Sequence, residues 1–256
     1  SFKNIMADQG GNYIAPFLWL HNEDDALIVR ELHRIHDCGI GAVCIESRTH
    51  EEFCREDWWQ DVRLILDTCK SLVSVSIPDS VTSIGSYAFY DCNLQSIIIP
   101  NSVITIGDSA FETCDSLRSV TIGDSVTSIG DSAFYDCQRL SSITIPDSVI
   151  SIGNSAFERC FALKSASIGN SVTTIGDCAF EGCSSLEKIT IPDSVLEIGS
   201  YAFKGCTGLT SITIPDSVTS IGYYAFYGCT GLTSITIPDS VTSIEQSTFS
   251  GCTGLT

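Results

Sequence analysis

Apolar and polar positions alternate in short runs along most of the chain, and the same runs return at a fixed interval. In one representative stretch, residues 209–214 alternate as the two faces of a strand do. Residues 215–217, Pro-Asp-Ser, predict a turn, because proline fixes φ and aspartate can hydrogen-bond its own backbone. Residues 218–221 predict a second short extended segment that a glycine ends, and residues 224–229 predict a short helical turn.

The interval is set by a phenylalanine column, whose first step is 22 residues and whose later steps are all 23 residues. Its members are Phe89, Phe111, Phe134, Phe157, Phe180, Phe203, Phe226 and Phe249, and a cysteine stands three residues after each. Copies that each expose an apolar face can bury it only by stacking on their neighbours. The pattern therefore predicts a solenoid with the Leu, Ile, Val, Ala, Phe and Cys columns inside, and with strands stacked about 4.8 Å apart.

The order I-P-x-S-V-x-x-I-G-x-x-A-F-x-x-C recurs eight times and covers roughly residues 66–256. It resembles the BspA-like leucine-rich repeat family, which occurs on surface and secreted proteins of bacteria and some protists. The resemblance implies a leucine-rich repeat solenoid of short strands and short helical turns. It also implies a secreted or cell-surface location and adhesion-type binding, and it implies no catalytic residue, so we expect a protein that is not an enzyme.

Residues 1–69 lack the repeat and predict a β-α-β-α order, with strands near residues 15–20 and 41–45 and helices over 23–37 and 56–69. This segment resembles the first two β/α units of a glycoside-hydrolase TIM barrel, in which strand ends carry the site. The resemblance implies possible sugar contacts by Trp19, His21, Glu46 and Arg48. Only two of the eight barrel strands are present, however, and glycosidic cleavage needs two flanking carboxylates, so we do not expect hydrolysis.

The join between the two parts keeps the repeat register, because Cys69 lies 23 residues before Cys92. The last helix of the front segment is therefore expected to serve also as the helix of a repeat zero. The predicted organisation is residues 1–69 as a cap and residues 70–256 as a solenoid of about eight repeats. No matching cap is predicted at the other end, where an open coil would expose strand edges and favour self-association.

Charge excludes two classes of partner. The chain carries 13 Lys and Arg against 31 Asp and Glu, for a net charge of -18. Such a polyanion is repelled by the phosphate backbones of nucleic acid and by anionic lipid surfaces, so neither is expected as a partner. Membrane insertion is not expected either, because the sequence has no run of 18 apolar residues. The partner is instead expected to be a protein or a glycan.

The sequence has no recognisable metal-binding or cofactor-binding motif. A cluster of potential ligands has no recognisable zinc spacing: His33, His36, Cys38, Cys44, His50 and Cys54. An Asp/Asn column after the first strand of each repeat is explained by turn capping better than by calcium. The cysteine column is expected to consist of small buried thiols, because one cysteine per coil cannot pair neatly along a ladder. No phosphate loop or nucleophile elbow occurs, so neither metal nor cofactor is predicted.

The outward positions of the first strand in each repeat are the predicted binding surface. They form two columns of mostly Ser and Thr, whose central members are Ser119, Thr121, Ser142, Thr144, Ser165, Ser167, Lys188, Thr190, Ser211 and Thr213. These hydroxyls can hydrogen-bond a glycan or a peptide backbone, and they can equally serve only to keep a strand face hydrated. Tyrosines around the predicted helical turns form a rival face, since exposed tyrosines make contacts at low entropic cost.

Three functions are thus left open: partner binding along the solenoid, carbohydrate binding or processing by the front segment, and self-assembly as a structural array.

Overall fold

The computed structural model describes residues 19–21, 42–46 and 74–255, and in these ranges the chain forms two layers of parallel strands, which we call the first and the second sheet. The strands of the first sheet are β1 Trp19–His21, β2 Ala42–Glu46, β3 Ser74–Ser76, β5 Ser96–Ile98, β7 Ser119–Thr121, β9 Ser142–Thr144, β11 Ser165–Ser167, β13 Lys188–Thr190, β15 Ser211–Thr213 and β17 Ser234–Thr236. The strands of the second sheet are β4 Ser83–Ile84, β6 Thr105–Ile106, β8 Ser128–Ile129, β10 Ser151–Ile152, β12 Thr174–Ile175, β14 Glu197–Ile198 and β16 Ser220–Ile221.

The chain winds as successive coils, each starting at one strand of the first sheet: 74–95, 96–118, 119–141, 142–164, 165–187, 188–210, 211–233 and 234–255. We number them coil 1 to coil 8. The first seven contain a strand of each sheet, whereas coil 8 contains only β17. The described solenoid therefore has about seven turns that contain strands of both sheets.

The predicted inward columns form the core. In coil 4, Phe157, Cys160 and Leu163 are fully buried, and the equivalent residues of the neighbouring coils are buried to the same degree. The phenylalanine rings stack nearly parallel from coil to coil, with centroids 5.0 to 5.6 Å apart. Burying each such side chain contributes about 1.5–3 kcal/mol, so the core is a continuous stack that single repeats could not form.

The third side of each coil, between a second-sheet strand and the next leucine, corrects the prediction of short helical turns. No helix occurs in the residues that the structure describes. In coil 3 the N–H of Tyr135 donates to the Ser132 carbonyl at 3.0 Å, three residues back, while the N–H of Phe134 donates to Ala156 of coil 4 at 2.8 Å. Alternate amides thus bond within the coil and to the next coil. We call this side the turn face.

Left-handed residues are the reason why the turn face is not helical. Each coil has two of them, such as Ser132 with φ 54° and Asp136 with φ 55° in coil 3. A right-handed helix cannot continue through a positive φ. The two left-handed residues, which lie four positions apart, therefore interrupt the helical turn in each coil. Glycine holds the second of these positions in the later coils, as Gly182, Gly205, Gly228 and Gly251. Glycine adopts this conformation at no steric cost.

Asp and Asn side chains join successive coils, which corrects the expectation that they bond their own turns. At the column of the prediction, the Asn101 side chain accepts the N–H of Asp124 at 2.9 Å. Asp147 accepts the N–H of Asn170 in the same way at 2.8 Å. A second such column runs along the start of the turn face, and there Asp131 accepts the N–H of Asn154 at 2.7 Å. These bonds satisfy amides that the sheets leave unpaired.

A glycine follows each second-sheet strand and lets neighbouring coils approach closely. A Cβ added at Gly153 would lie 2.5 Å from the carbonyl carbon of Gly130 in the preceding coil. In coil 8 the same position is Glu245, and residues 241–245 form no strand. Ile244, which precedes it, is 50 % exposed, whereas its counterpart Ile221 is 1 % exposed. We attribute the loss of this strand to the side chain at 245, which does not fit the close backbone approach.

The front segment is described only at β1 and β2. These strands are parallel to each other, and β2 continues into the solenoid by pairing Ala42 with Ser74 of β3. They agree with the two predicted strands, although β1 extends to His21 and β2 to Glu46. The predicted helices over 23–37 and 56–69 lie outside the described residues, so the cap stays a prediction. Nowhere in the described ranges is there a helix with the length and apolar character to cross a bilayer.

Candidate binding faces

The outward side of the first sheet, here called the strand face, carries the predicted Ser and Thr columns in register. Parallel pairing aligns Ser142 with Ser165 and Lys188, and Thr144 with Ser167 and Thr190. The middle residue of each strand points into the core and the two flanking residues are exposed. Every predicted position of the two columns, from Ser119 to Thr213, is exposed on this face. Whether they bind a partner remains a prediction.

Chemically, the strand face is a set of hydroxyl donors and acceptors. A hydroxyl acts as a nucleophile only when an adjacent base removes its proton. The four histidines of the chain are His21, His33, His36 and His50, and all precede the solenoid. The repeats therefore offer no imidazole base to these hydroxyls, and the arrangement suits reversible hydrogen bonding.

A tyrosine cluster marks the turn face of coils 6 and 7. The rings of Tyr201 and Tyr224 stack with centroids 5.0 Å apart, and Tyr227 lies 5.7 Å from Tyr224 at a tilt of 59°. Tyr223 is 51 % exposed beside them. Tyr201 and Tyr224 have φ of 59° and 57°, which is uncommon for a bulky residue. The rival tyrosine face is thus a real surface, although it surrounds left-handed turns and not helices.

An ion pair lies beside the tyrosine cluster on the same face. Lys204 Nζ lies 2.8 Å from Glu181 Oε1 and 5.0 Å from the centre of the Tyr201 ring. The hydrogen bond with Glu181 is the main reason why the pKa of Lys204 is raised. Lys204 is therefore held by its own chain and is not free to meet a partner.

One group of potential metal ligands escaped the sequence analysis. Glu158, Cys178 and Glu181 are half-buried, and each offers a ligand atom within 4.8 Å of the other two. Burial, then a hydrogen bond and the charge of Glu181, raise the pKa of the Cys178 thiol to about 12. A protonated thiol is a poor ligand, and Lys204 already compensates Glu181. The protonated thiol and the existing ion pair therefore do not favour a cation at this group.

The cysteine column consists of free thiols with a structural hydrogen bond. Cys160 Sγ donates to the carbonyl of Phe134 in the preceding coil at 3.2 Å, and the same bond recurs from Cys114 to Cys252. Burial raises the pKa of the Cys114 thiol to about 12 and that of Cys160 still further. Since the thiolate is the reactive form, these thiols are suited to packing and not to catalysis.

The positions predicted for sugar contact lie in the front strands. Trp19 and His21 are the first and last residues of β1, and Glu46 is the last residue of β2. The register pairs His21 with Glu46, so these two belong to the same edge of the sheet. Arg48 lies outside the described residues. The structure describes only the backbone at these positions, so their role stays a prediction.

The fold and the strand face define a parallel solenoid of leucine-rich repeats. Comparison with protein families gives the same result: the BspA type Leucine rich repeat region matches residues 65–187 and 173–256, in six copies. The chain belongs to this family. Among curated proteins, none matches the chain.

Two solved structures with TM-scores above 0.5 share this fold, and a third is similar in sequence. The leucine-rich repeat protein TpLRR of T. pallidum is 30 % identical, with a TM-score of 0.59 over 62 % of this chain and 78 % of that chain. A leucine-rich repeat protein of Eubacterium ventriosum ATCC 27560 is 20 % identical, with a TM-score of 0.54 over 92 % and 88 %, and shows the fold alone. A leucine rich cell surface protein of Faecalibacterium prausnitzii A2-165 is 25 % identical over 97 % and 84 %, with a TM-score of 0.36.

Proposed function

We propose that this chain is a binding protein of the adhesion type, secreted or held at a cell surface, which presents its strand face to a protein or glycan partner. It acts without catalysis. The observation that carries this proposal is the register of the exposed Ser and Thr columns, which gives one continuous face over many coils. Membership of the BspA type leucine-rich repeat family supports the proposal, because the resemblance to that family implies surface exposure and binding.

The outward side chains of the strand face do not hold successive coils together. The middle residues of the first-sheet strands and the second residues of the second-sheet strands pack into the core, and the turn face is tied by inter-coil hydrogen bonds. Outward hydroxyls such as Thr144 and Ser165 can change without disturbing the stack. A surface that varies while its scaffold stays fixed is what a binding repeat requires.

The test is a binding screen on glycans and matrix proteins, followed by a comparison of two double variants. Ser142→Glu with Thr144→Glu adds two charges to the strand face, and it should abolish binding by burying unpaired carboxylates in the contact. Ser151→Glu with Ser220→Glu adds the same charges at exposed serines of the second sheet. This control should bind as the parent does. Equal affinity of the two variants would overturn the proposal.

The tyrosine cluster is the second candidate face, favoured by its exposed rings and its left-handed backbone. Tyr223→Ala with Tyr227→Ala removes two exposed rings without touching the core. If these substitutions abolish binding and the strand-face variant does not, the turn face of coils 6 and 7 is the contact.

The front segment is proposed to cover the first coil, because β2 pairs directly with β3. A truncation that lacks residues 1–57 separates this role from the alternative of a sugar site. Binding by both forms favours the strand face, whereas a folded truncation that no longer binds favours the front segment. Trp19→Ala and Glu46→Ala in the full chain then test the sugar contact. Sedimentation at several protein concentrations tests the third alternative, self-association.

A further inference from the structure

Positive charges in the solenoid gather at one margin of the strand face. The described residues contain six Lys and Arg side chains: Arg118, Arg139, Arg159, Lys164, Lys188 and Lys204. Arg118 directly precedes β7, Lys164 directly precedes β11, and Lys188 is the first residue of β13. Arg139 comes three residues before β9. We call Arg118, Arg139, Lys164 and Lys188 the basic edge; it spans the N-terminal ends of the strands in coils 3 to 6.

The cations of the basic edge differ from the other two in forming no ion pair with any residue that the structure describes. Arg159 lies 3.4 Å from Asp136, and Lys204 lies 2.8 Å from Glu181, so the turn face neutralises its own cations. Within the part of the chain that the structure describes, no carboxylate lies within ion-pairing distance of Arg118, Lys164 or Lys188, and all three are exposed. In a chain of net charge -18, unpaired neighbouring cations need a reason.

Of the acidic residues that flank the strand face in the described coils, most lie at the opposite margin, and others lie on the turn face. Asp124, Asp147 and Asp193 are exposed in the turns that follow β7, β9 and β13. Two acids do lie beside the basic edge: Asp115, whose charge interacts with that of Arg139, and the exposed Glu187. The strand face is therefore polarised across its width. An anionic chain that crosses the coils would be attracted along one edge and repelled from the other.

The chemistry of the face favours a sugar polymer over a protein. Across coils 3 to 7 its outward residues are Ser, Thr and one Lys, without an aromatic or aliphatic side chain. Protein interfaces depend on buried aromatic and apolar anchors at their centre. A polysaccharide supplies hydroxyls that match this surface. Its anionic groups can reach Lys164 and Lys188 on adjacent strands that are roughly 4.8 Å apart, and Arg118 two strands away.

We infer that the strand face binds an anionic polysaccharide, held along the basic edge by Arg118, Lys164 and Lys188 while the Ser and Thr columns hydrogen-bond its hydroxyls. This rests on the proposed function and names the class of partner for the same face. Both carboxylated and sulfated sugars supply the required charge.

The experiment titrates the full chain with polygalacturonate, heparin, dextran and poly-L-glutamate at low and high salt. We expect saturable binding of polygalacturonate, heparin or both, weakened as the Debye length falls from about 10 Å at 0.1 M to about 3 Å at 1 M salt. Dextran and poly-L-glutamate should bind much more weakly. Carboxylated and sulfated arms distinguish the two sources of charge. Tight binding of poly-L-glutamate alone would overturn the inference in favour of an acidic protein.

Two double variants with the same net charge give the matched control. Lys164→Gln with Lys188→Gln removes two of the four charges of the basic edge, and Arg159→Gln with Lys204→Gln removes the same charge from the turn face. Since an exposed ion pair contributes a factor of about 1.5 to 5, the first variant should bind roughly fivefold more weakly. The second should bind as the parent does. Glu187→Gln should strengthen binding by roughly twofold on the same scale.

Failure of this inference is distinguishable from failure of the proposed function. Equal loss in both double variants, or no binding of either polyanionic sugar, would overturn the anionic polysaccharide. If the Ser142 and Thr144 variant still loses a ligand found in the binding screen, the strand face remains the contact and only the class of partner is wrong. If that variant loses nothing, the proposed function fails first.

Discussion

The two sheets of the solenoid differ in continuity, although they are built from the same coils. The second sheet runs unbroken over seven strands, whereas the first sheet is divided into hydrogen-bonded groups of five, three and two strands. The inward residue of the second sheet is isoleucine in every strand, and a glycine follows it in each of the seven. In the first sheet the inward residue varies among Val, Ile and Ala.

This difference shows which part of a coil sets the stacking and which part is free to vary. Uniform side chains and close backbone contacts fix the separation of coils at the second sheet. The first sheet follows that separation and tolerates different inward volumes, such as Ala166 between Ile143 and Ile189. Its outward residues are also more varied, since they include Lys188 and Ile98 beside Ser and Thr. A partner-binding face on the first sheet is consistent with this division.

A side chain in place of a glycine that follows a second-sheet strand should disrupt the second sheet and cause the largest loss of stability. Gly153→Ala places a Cβ 2.5 Å from the backbone of Gly130, and neither backbone can move without separating coils 3 and 4. Overpacking of this kind costs about 3 kcal/mol. Urea denaturation measures the loss. Ser151→Ala, an exposed position on the same sheet two residues earlier, is the control and should change stability little.

Cutting one side-chain bond between coils should cost less. The Asp131 carboxylate accepts the N–H of Asn154 at 2.7 Å, and Asp131 itself donates its N–H to Asp108 at 2.9 Å. Asp131→Ala leaves the Asn154 amide without its protein acceptor and should destabilise the fold by about 1 kcal/mol. Asp131→Asn retains a carbonyl acceptor and should recover most of that loss. A similar loss for both variants would show that charge and not the hydrogen bond matters.

Much of the fold is predictable because the repeat makes each inward column visible. The strand positions, the buried Phe and Cys columns and the exposed Ser and Thr columns all follow from alternation and period. The prediction of a helical turn was wrong. Alanine and phenylalanine favour a helix, but the left-handed residues beside them prevent one from forming. Glycine before cysteine, as in Gly205-Cys206, is the signal that could have corrected it.

Inter-coil contacts could not be predicted in the same way. A side chain such as Asp131 offers the same oxygens to its own turn and to the next coil, and only the stacking geometry selects the second. The basic edge was also missed, because Arg118 and Lys164 lie two coils apart in one column of the repeat and Lys188 lies in the next column. Their proximity appears only when the coils are placed side by side. An acidic net charge then concealed a local surface of opposite sign.

Restoring the glycine of coil 8 should extend the second sheet. Glu245→Gly removes the side chain that does not fit against coil 7, so Ile244 can turn inward as Ile221 does. Partial burial of that isoleucine should offset the entropy cost of glycine and stabilise the protein by about 0.5–1 kcal/mol. Hydrogen exchange of the amides of residues 242–245 measures the new strand. Unchanged exchange would mean that Glu245 is not what prevents pairing.

Removing hydroxyls from the strand face without adding charge should have the smallest effect on stability. These variants therefore distinguish the role of the first sheet most clearly from that of the second. Ser142→Ala with Thr144→Ala removes two exposed hydroxyls that make no hydrogen bond to other parts of the described chain. Exposed substitutions of this kind change stability by less than about 0.5 kcal/mol. Affinity for the ligand found in the binding screen should nevertheless fall, because each lost hydroxyl leaves a ligand group unpaired. The same denaturation and titration measurements decide the result. A stability loss as large as that of Gly153→Ala would show that both sheets set the stacking, and unchanged affinity would remove these hydroxyls from the contact.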